Sequence, residues 1–245
     1  RLRDDLCRQL ETGRGSARHA ACLCAGRGRG RTAGPWLAAV LAWQPAAAQT
    51  AKARATAKVD LEARFKEAQA DPKLADDLYK VGRKVAAVCA NCHGEGGNST
   101  KSSIPNLAGQ NPAYLLEQLR QFSDGRRRNE FMEGMIRAMN SDEKIGMVLF
   151  YAAQEVTHKP ATNAALAGKG QEYYGKICFR CHGNVGRGNE LIARIAGQQA
   201  DYLRVTLKRY RDGTDVRANS IMTPNTKNMT DADIEAVVAY VSSMP

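Results

Sequence analysis

Cysteine and histidine occur together in one five-residue pattern that the chain contains twice. Cys89–His93 and Cys178–His182 both read Cys-x-x-Cys-His, and a glycine follows each copy. Two thiols at this spacing lie on one turn of chain, so both can add to the vinyl groups of one haem while the adjacent imidazole faces its iron. The pattern therefore predicts two covalently bound haem c groups. The predicted attachment residues are Cys89, Cys92, Cys178 and Cys181, and the predicted iron ligands are His93 and His182.

Three other uses of a Cys-x-x-Cys pair fit this sequence less well. A structural zinc site would need a second pair about 15 to 20 residues away, and the two pairs here are much further apart. A thioredoxin-like redox pair belongs to alternating strands and helices, and strand-like patterns are scarce here. Two plain disulfides remain an alternative, but none of the three explains why a histidine follows each pair.

Haem iron held by one histidine has a second axial position, and a methionine there raises the reduction potential and suits electron transfer. The candidate in the second half of the chain is Met222. The candidate in the first half is Met132, with Met135 as an alternative. Because Met132 and Met222 follow His93 and His182 at nearly equal distances, we predict that they are the second axial ligands.

The similarity between the two halves extends beyond the cysteine motif. Pro105–Gln110 reads PNLAGQ and corresponds to Ala193–Gln198, which reads ARIAGQ. A Tyr-Leu pair, an Asp-Gly pair and a Ser/Thr-Asp pair follow in both halves at a nearly constant separation. This repeat predicts a tandem duplication of one small domain.

Apolar residues recur at helical spacing in both halves, which predicts an all-α fold. They are Leu115, Leu119 and Phe122 in the first half and Leu203, Leu207 and Tyr210 in the second. Asn111 followed by Pro112 predicts the start of one helix, and Ser141 and Thr230 are the predicted N-caps of the last helix in each half. Domains of about 85 residues bury little apolar surface, so a covalent haem would complete each core.

The beginning of the chain has the composition of a secretory signal. Residues 1–34 are rich in glycine, alanine and arginine, an apolar run follows at Pro35–Trp43, and small residues lead to Ala48. We expect cleavage after Ala48, with residues 1 to 25 reflecting an over-extended start site. A basic nucleic-acid-binding arm is the alternative, but no aromatic or polar side chains interleave with its arginines. Export to the periplasm is therefore predicted.

Composition and charge exclude several classes of protein. The chain has 245 residues, 43% hydrophobic and 25% charged, which is ordinary globular composition and excludes wholesale disorder. The net charge of +11 makes an anionic partner worth considering. Cleavage after Ala48 would remove part of this positive charge. No apolar stretch reaches the roughly 20 residues of a membrane span, so at most a peripheral membrane association is expected. Nucleic acid is not a predicted partner.

These boundaries define five segments. We predict a leader over residues 1–48, a flexible segment over 49–73, one domain over 74–157, a linker over 158–163 and a second domain over 164–245.

With these elements the chain resembles the two-haem class I cytochromes c of the cytochrome c4 type. The resemblance covers residues 74–245 and rests on both Cys-x-x-Cys-His-Gly motifs, on Pro105–Gln110, on a methionine before each Ser/Thr-Asp helix start, and on Tyr151 and Tyr240 in the final helices. It implies two tandem class I cytochrome c domains related by a pseudo-twofold axis. It also implies that the Pro105 carbonyl orients the histidine of the first haem, whereas alanine stands at that position in the second copy.

The resemblance implies an electron carrier and not an enzyme. Such a protein would pass electrons from a cytochrome bc complex or a dehydrogenase to a terminal oxidase. Two alternatives stay open: the haem subunit of a dehydrogenase complex that oxidises sulfide or alcohols, and a two-haem enzyme with one iron left open. The basic run Arg126–Arg128 is a candidate docking patch for an acidic partner, or else a solvated turn.

Overall fold

The computed structural model describes residues 60–214 and 220–245. Within these residues the chain forms helices and loops and contains no strand, which confirms the all-α fold class. None of the described helices is both long enough and apolar enough to cross a membrane. The leader predicted over residues 1–48 lies outside the described residues.

Ten α-helices make up the described part of the chain, five in each copy. In the first copy they are α1 (Leu61–Ala70), α2 (Pro72–His93), α3 (Pro112–Asp124), α4 (Glu130–Ala138) and α5 (Ser141–Ala152). In the second copy they are α6 (Ala164–Tyr174), α7 (Phe179–His182), α8 (Ala200–Asp212), α9 (Met222–Thr226) and α10 (Asp231–Ser243). A single 3₁₀ turn, Glu95–Gly97, follows α2.

Helix α1 lies within the segment 49–73 that was expected to be flexible, of which residues 49–59 are outside the described part of the chain. The Asp60 carboxylate caps this helix by accepting a hydrogen bond of 2.9 Å from the N–H of Glu62. Phe65 and Ala68 are buried in the core of the first copy. Leu61 packs partly buried against the same core, so the segment from residue 61 onward is helical and held to the first copy.

Each copy is built on two long helices that cross at a glycine. In the first copy a Cβ atom on Gly82 of α2 would lie 1.9 Å from the carbonyl oxygen of Gly146 in α5. In the second copy a Cβ atom on Gly170 of α6 would lie 1.9 Å from the carbonyl oxygen of Ala236 in α10. Because glycine has no side chain, the two backbones can touch at these points.

The last helix of each copy starts with a capping box. In α10 the predicted N-cap Thr230 is confirmed, and its side chain and that of Asp233 cap one another's backbone N–H groups. In α5 the N-cap is Asn140, which forms the same reciprocal pair with Glu143, so the prediction of Ser141 was wrong by one residue. These caps fix the start of each helix. The buried apolar residues that follow include Ile145 and Val148 in α5 and Ile234, Val237, Val238 and Val241 in α10.

The helical stripes predicted for α3 and α8 also face the cores. Leu115, Leu119 and Phe122 are all buried in the first copy. In the second copy Leu203 is buried and Leu207 packs partly buried against the core of that copy, whereas Tyr210 is half-buried and is not among the side chains on that core. These two helices thereby close one side of each core.

The segment between the two copies is held to both of them. Asn98 accepts a hydrogen bond of 2.8 Å from the N–H of Thr157, and the ring Nδ1 of His158 lies 3.1 Å from the carbonyl oxygen of Met244. Helix α6 then begins after Asn163, whose side chain caps it. The connection is thus a fixed part of the fold.

Candidate haem-binding sites

Both predicted histidine ligands are buried at the end of a helix and bonded to a carbonyl in the following loop. The Nδ1 atom of His93 lies 2.9 Å from the carbonyl oxygen of Pro105. The Nδ1 atom of His182 lies 2.9 Å from the carbonyl oxygen of Ala193, so replacing proline by alanine does not lengthen the contact. A carbonyl can only accept, so Nδ1 carries the proton in both rings and Nε2 keeps a free lone pair. This is the tautomer that can bind iron.

The surroundings of both rings favour the neutral imidazole. Burial lowers the pKa of His93 and of His182, and the hydrogen bond to the loop carbonyl opposes this only in part. The charge of Arg127 lowers the pKa of His93 further. Both rings are therefore neutral near pH 7, which is the form that acts as a metal ligand.

The four cysteines of the two motifs form no disulfide and lie close to these histidines. Cys89 and Cys178 pack partly buried against the two cores. Burial raises the pKa of Cys89, and it raises the pKa of Cys178 to about 11. A redox-active Cys-x-x-Cys pair has a lowered thiol pKa, so these pairs do not have that character. Two cysteine side chains beside a neutral, oriented imidazole are a donor set that fits a haem c.

The glycine after each motif permits the backbone to turn away from the histidine. Gly94 has φ 79° and Gly183 has φ 75°, in a region that side-chain-bearing residues rarely adopt. A Cβ atom on Gly94 would also lie 2.0 Å from the carbonyl oxygen of Asn98. The returning loop then brings Pro105 and Ala193 back against the histidine rings.

The candidate methionines occupy different positions. Met132 lies on α4 and packs against the same core as Cys89. Met135, one turn further on, is half-buried and is not among the described side chains that pack on this core. Met222 is the half-buried first residue of α9, and its N–H donates to the Ser220 hydroxyl at 3.2 Å. The shared core favours Met132 over Met135, and the assignment of Met132 and Met222 as ligands stays a prediction.

Two buried tyrosines near the motifs differ in their hydrogen bonding. The Tyr174 hydroxyl donates to the carbonyl oxygen of Gly183 at 2.6 Å, directly after the second motif. The Tyr151 hydroxyl has no hydrogen-bond partner among the described residues. Sequence reasoning missed Tyr174 because the corresponding position of the first copy is not a tyrosine, so the repeat carries no signal for it.

We expect Tyr174→Phe to lower the free energy of unfolding by about 0.5–1.5 kcal/mol, because the half-buried Gly183 carbonyl loses its shorter hydrogen bond and keeps only the one from the Gly186 N–H at 3.3 Å. Tyr151→Phe is the matched control and should change that free energy by less than about 0.5 kcal/mol. Urea unfolding of the haem-loaded protein measures both values. Equal losses in the two variants would show that this hydrogen bond contributes nothing.

The basic run Arg126–Arg128 is largely neutralised by its own copy. Arg126 forms ion pairs with Glu117 and Asp124, and Arg128 forms one with Glu133. Arg127 donates to the Tyr202 hydroxyl of the other copy at 3.0 Å. The structure therefore does not present these three arginines as a free cationic patch.

A buried polar interface joins the two copies. Asn111 is the N-cap residue of α3, as predicted, but its side chain makes no capping bond. It donates to the carbonyl oxygens of Asn189 and Ile192 in the other copy, both at 2.7 Å. The Gln199 side chain donates to the Asn106 side chain at 2.9 Å, and both residues are buried. Buried polar groups that are paired in this way fix the position of one copy against the other.

Comparison with known proteins agrees with this geometry. Residues 79–157 and 167–245 each match the family model of cytochrome c. The cytochrome c4 of Thiocapsa roseopersicina is 33% identical over 173 residues, which cover 66% of this chain and 89% of that protein. The chain belongs to the cytochrome c4 family.

Further relatives support this membership. A protein of Thiomonas intermedia described as a thiosulfate dehydrogenase electron acceptor is 35% identical over 176 residues, covering 65% of this chain and 80% of that protein. The crystal structure of reduced recombinant cytochrome c4 from Pseudomonas stutzeri matches with a TM-score of 0.63 and 28% identity, covering 68% of this chain and 98% of that chain. As a member of the cytochrome c4 family, the chain has two tandem cytochrome c domains, carries two covalently bound haem c groups and is a di-haem electron carrier.

Proposed function

We propose that each haem is held by the motif of its own domain and by one methionine. The first set is Cys89, Cys92, His93 and Met132, and the second set is Cys178, Cys181, His182 and Met222. The observation that carries this proposal is the hydrogen bond from each Nδ1 to a loop carbonyl, which leaves Nε2 free and directed by a fixed ring. When bound, a haem supplies reversible one-electron oxidation of its iron.

The chain's own residues suit electron transfer better than catalysis. Two axial ligands for each iron would leave no position for a substrate. Covalent attachment, helix packing and the buried interface all hold the iron ligands in one arrangement. The ligands therefore need to move little when the iron is oxidised or reduced. A carrier needs this rigidity, and it needs no substrate pocket.

We further propose that the carrier works in the periplasm, where it accepts electrons from a dehydrogenase and delivers them to a terminal oxidase. The leader composition of residues 1–48 supports export. The description of the Thiomonas intermedia relative as a thiosulfate dehydrogenase electron acceptor supports a thiosulfate-oxidising dehydrogenase as the donor. A cytochrome bc complex is the other donor class.

Rapid mixing tests this assignment. We expect the oxidised protein to be reduced by thiosulfate only when a thiosulfate dehydrogenase is present, and then to be re-oxidised by a terminal oxidase. Thiosulfate without the dehydrogenase is the control and should leave both haems oxidised. Reduction and turnover by the isolated chain would contradict the carrier and indicate a two-haem enzyme.

The second candidate is a haem subunit of a dehydrogenase complex, which the same relative also favours. Gentle purification from the native cell separates the two candidates. A carrier should elute free of the dehydrogenase, whereas a subunit would co-elute with it at fixed stoichiometry.

A further inference from the structure

Two glutamine side chains cross the interface and bind the backbone of the opposite domain. The Oε1 atom of Gln198 accepts from the N–H of Asn106 at 2.7 Å, and its Nε2 donates to the Asn106 carbonyl at 3.1 Å. In the other direction, Oε1 of Gln110 accepts from the N–H of Arg194 at 2.7 Å, and its Nε2 donates to the Arg194 carbonyl at 2.9 Å. The two contacts are reciprocal, and both glutamines are buried.

The orientation of each amide is fixed by a further backbone donor. Oε1 of Gln198 also accepts from the N–H of Gln199 at 2.9 Å, and Oε1 of Gln110 accepts from the N–H of Asn111 at 3.1 Å. Because a backbone N–H only donates and a backbone carbonyl only accepts, a flipped amide would break all of these bonds. The oxygen of each glutamine therefore faces the loop N–H.

Each of these loop N–H groups shares a peptide unit with a histidine-binding carbonyl. The N–H of Asn106 and the carbonyl of Pro105 are the two ends of one peptide, and that carbonyl accepts from Nδ1 of His93 at 2.9 Å. A hydrogen bond at one end of a peptide polarises the other end and strengthens its own hydrogen bond, by about 10–30%. Gln198 thus lies at the far end of a hydrogen-bond chain that ends at the His93 ring.

The second domain has the same series of hydrogen bonds, with the glutamine supplied by the first domain. Gln110 binds the N–H of Arg194, and the carbonyl of the same peptide, on Ala193, accepts from Nδ1 of His182 at 2.9 Å. Other interface bonds, such as the one between Arg127 and Tyr202, do not touch either peptide.

We infer that Gln198 and Gln110 are positioning residues, each of which tunes the reduction potential of the haem in the opposite domain. A stronger hydrogen bond from Nδ1 makes the imidazole a more basic ligand, and a more basic ligand favours the oxidised iron. Each glutamine therefore lowers the potential of the haem across the interface. The inference rests on the proposed ligation by His93 and His182. It goes beyond that ligation because each domain would influence the reduction potential of the other domain's haem.

The test is a redox titration of the isolated two-haem protein followed by NMR, with haem signals assigned to a domain through their contacts with its residues. Gln198→Met keeps the length of the side chain and removes both hydrogen bonds to the Asn106 backbone, together with the one from the Gln199 N–H. We expect it to raise the potential of the haem in the first domain and to leave that of the second unchanged. Gln110→Met should raise the potential of the haem in the second domain alone.

Two further variants make the result decisive. Ser102→Ala removes an interface hydrogen bond, to the Asp201 carboxylate, that touches neither peptide, and it should move neither potential. Gln198→Glu keeps the acceptor oxygen, so it should not raise the potential of the first haem, and it serves if Gln198→Met fails to fold. A shift in the glutamine's own domain, equal shifts in both haems, a rise with Gln198→Glu or no shift with either methionine variant would overturn the inference. None of these outcomes depends on a redox partner, so they are independent of the donor and acceptor test.

Discussion

Replacing Gly170 by alanine is expected to lower the free energy of unfolding by about 3 kcal/mol, which is at the upper end of the cost of overpacking a core. The new Cβ atom would lie 1.9 Å from the carbonyl oxygen of Ala236, so α6 and α10 would have to separate. The atom in the way belongs to the backbone and cannot rotate aside. The crossing that supports the second domain would therefore open.

Gly168 provides a matched control on the same helix. It is exposed, and a Cβ atom there would meet no described atom within 4 Å. Gly168→Ala should therefore raise the free energy of unfolding by about 0.5–1 kcal/mol, because alanine favours the helix. Urea unfolding of the two haem-loaded variants compares them directly. Effects of the same sign would contradict the close crossing.

Replacing Met222 by alanine should abolish the methionine-to-iron absorption band of one haem and lower its potential by on the order of a few tenths of a volt. The reason is that methionine favours reduced iron, and axial ligands shift haem potentials over a range of about 0.8 V. Met132→Ala should have the same effect on the other haem. Absorption spectra and a redox titration of each variant give both quantities.

Met135→Ala is the control for the first domain. It should keep both absorption bands and both potentials, since Met135 is not among the described side chains on the core that holds Met132 and Cys89. If Met135→Ala lost the methionine-to-iron absorption band and Met132→Ala kept it, Met135 would be the ligand of the first haem. An unchanged spectrum in Met222→Ala would refute that ligand.

Local patterns in the sequence predicted the main features of the fold and the candidate site. The Cys-x-x-Cys-His motif and the stripe on α3 depend on residues close together in the chain, so their spacing can be interpreted directly. The repeat is a match between two such local patterns. The carbonyl contact of Pro105 followed from the family resemblance and is present at 2.9 Å. The loop that carries it is part of the repeated segment.

The features that sequence reasoning missed depend on partners far away in the chain. In the sequence nothing distinguishes Gly170 from other helical glycines, and only the structure places the Ala236 backbone against it. Asn111 has the sequence of an N-cap, and only the structure shows that its amide binds the other domain. The repeated glutamines Gln110 and Gln198 were visible as a match, but only the structure shows that each reaches the opposite domain.

The most direct measurement for the central claim is mass spectrometry of the cysteine peptides from protein made in a host able to mature c-type cytochromes. We expect the peptide with Cys89 and Cys92 and the peptide with Cys178 and Cys181 each to carry the added mass of one haem, with two haems per chain by absorbance. Peptides without that mass, or a colourless protein, would contradict the account.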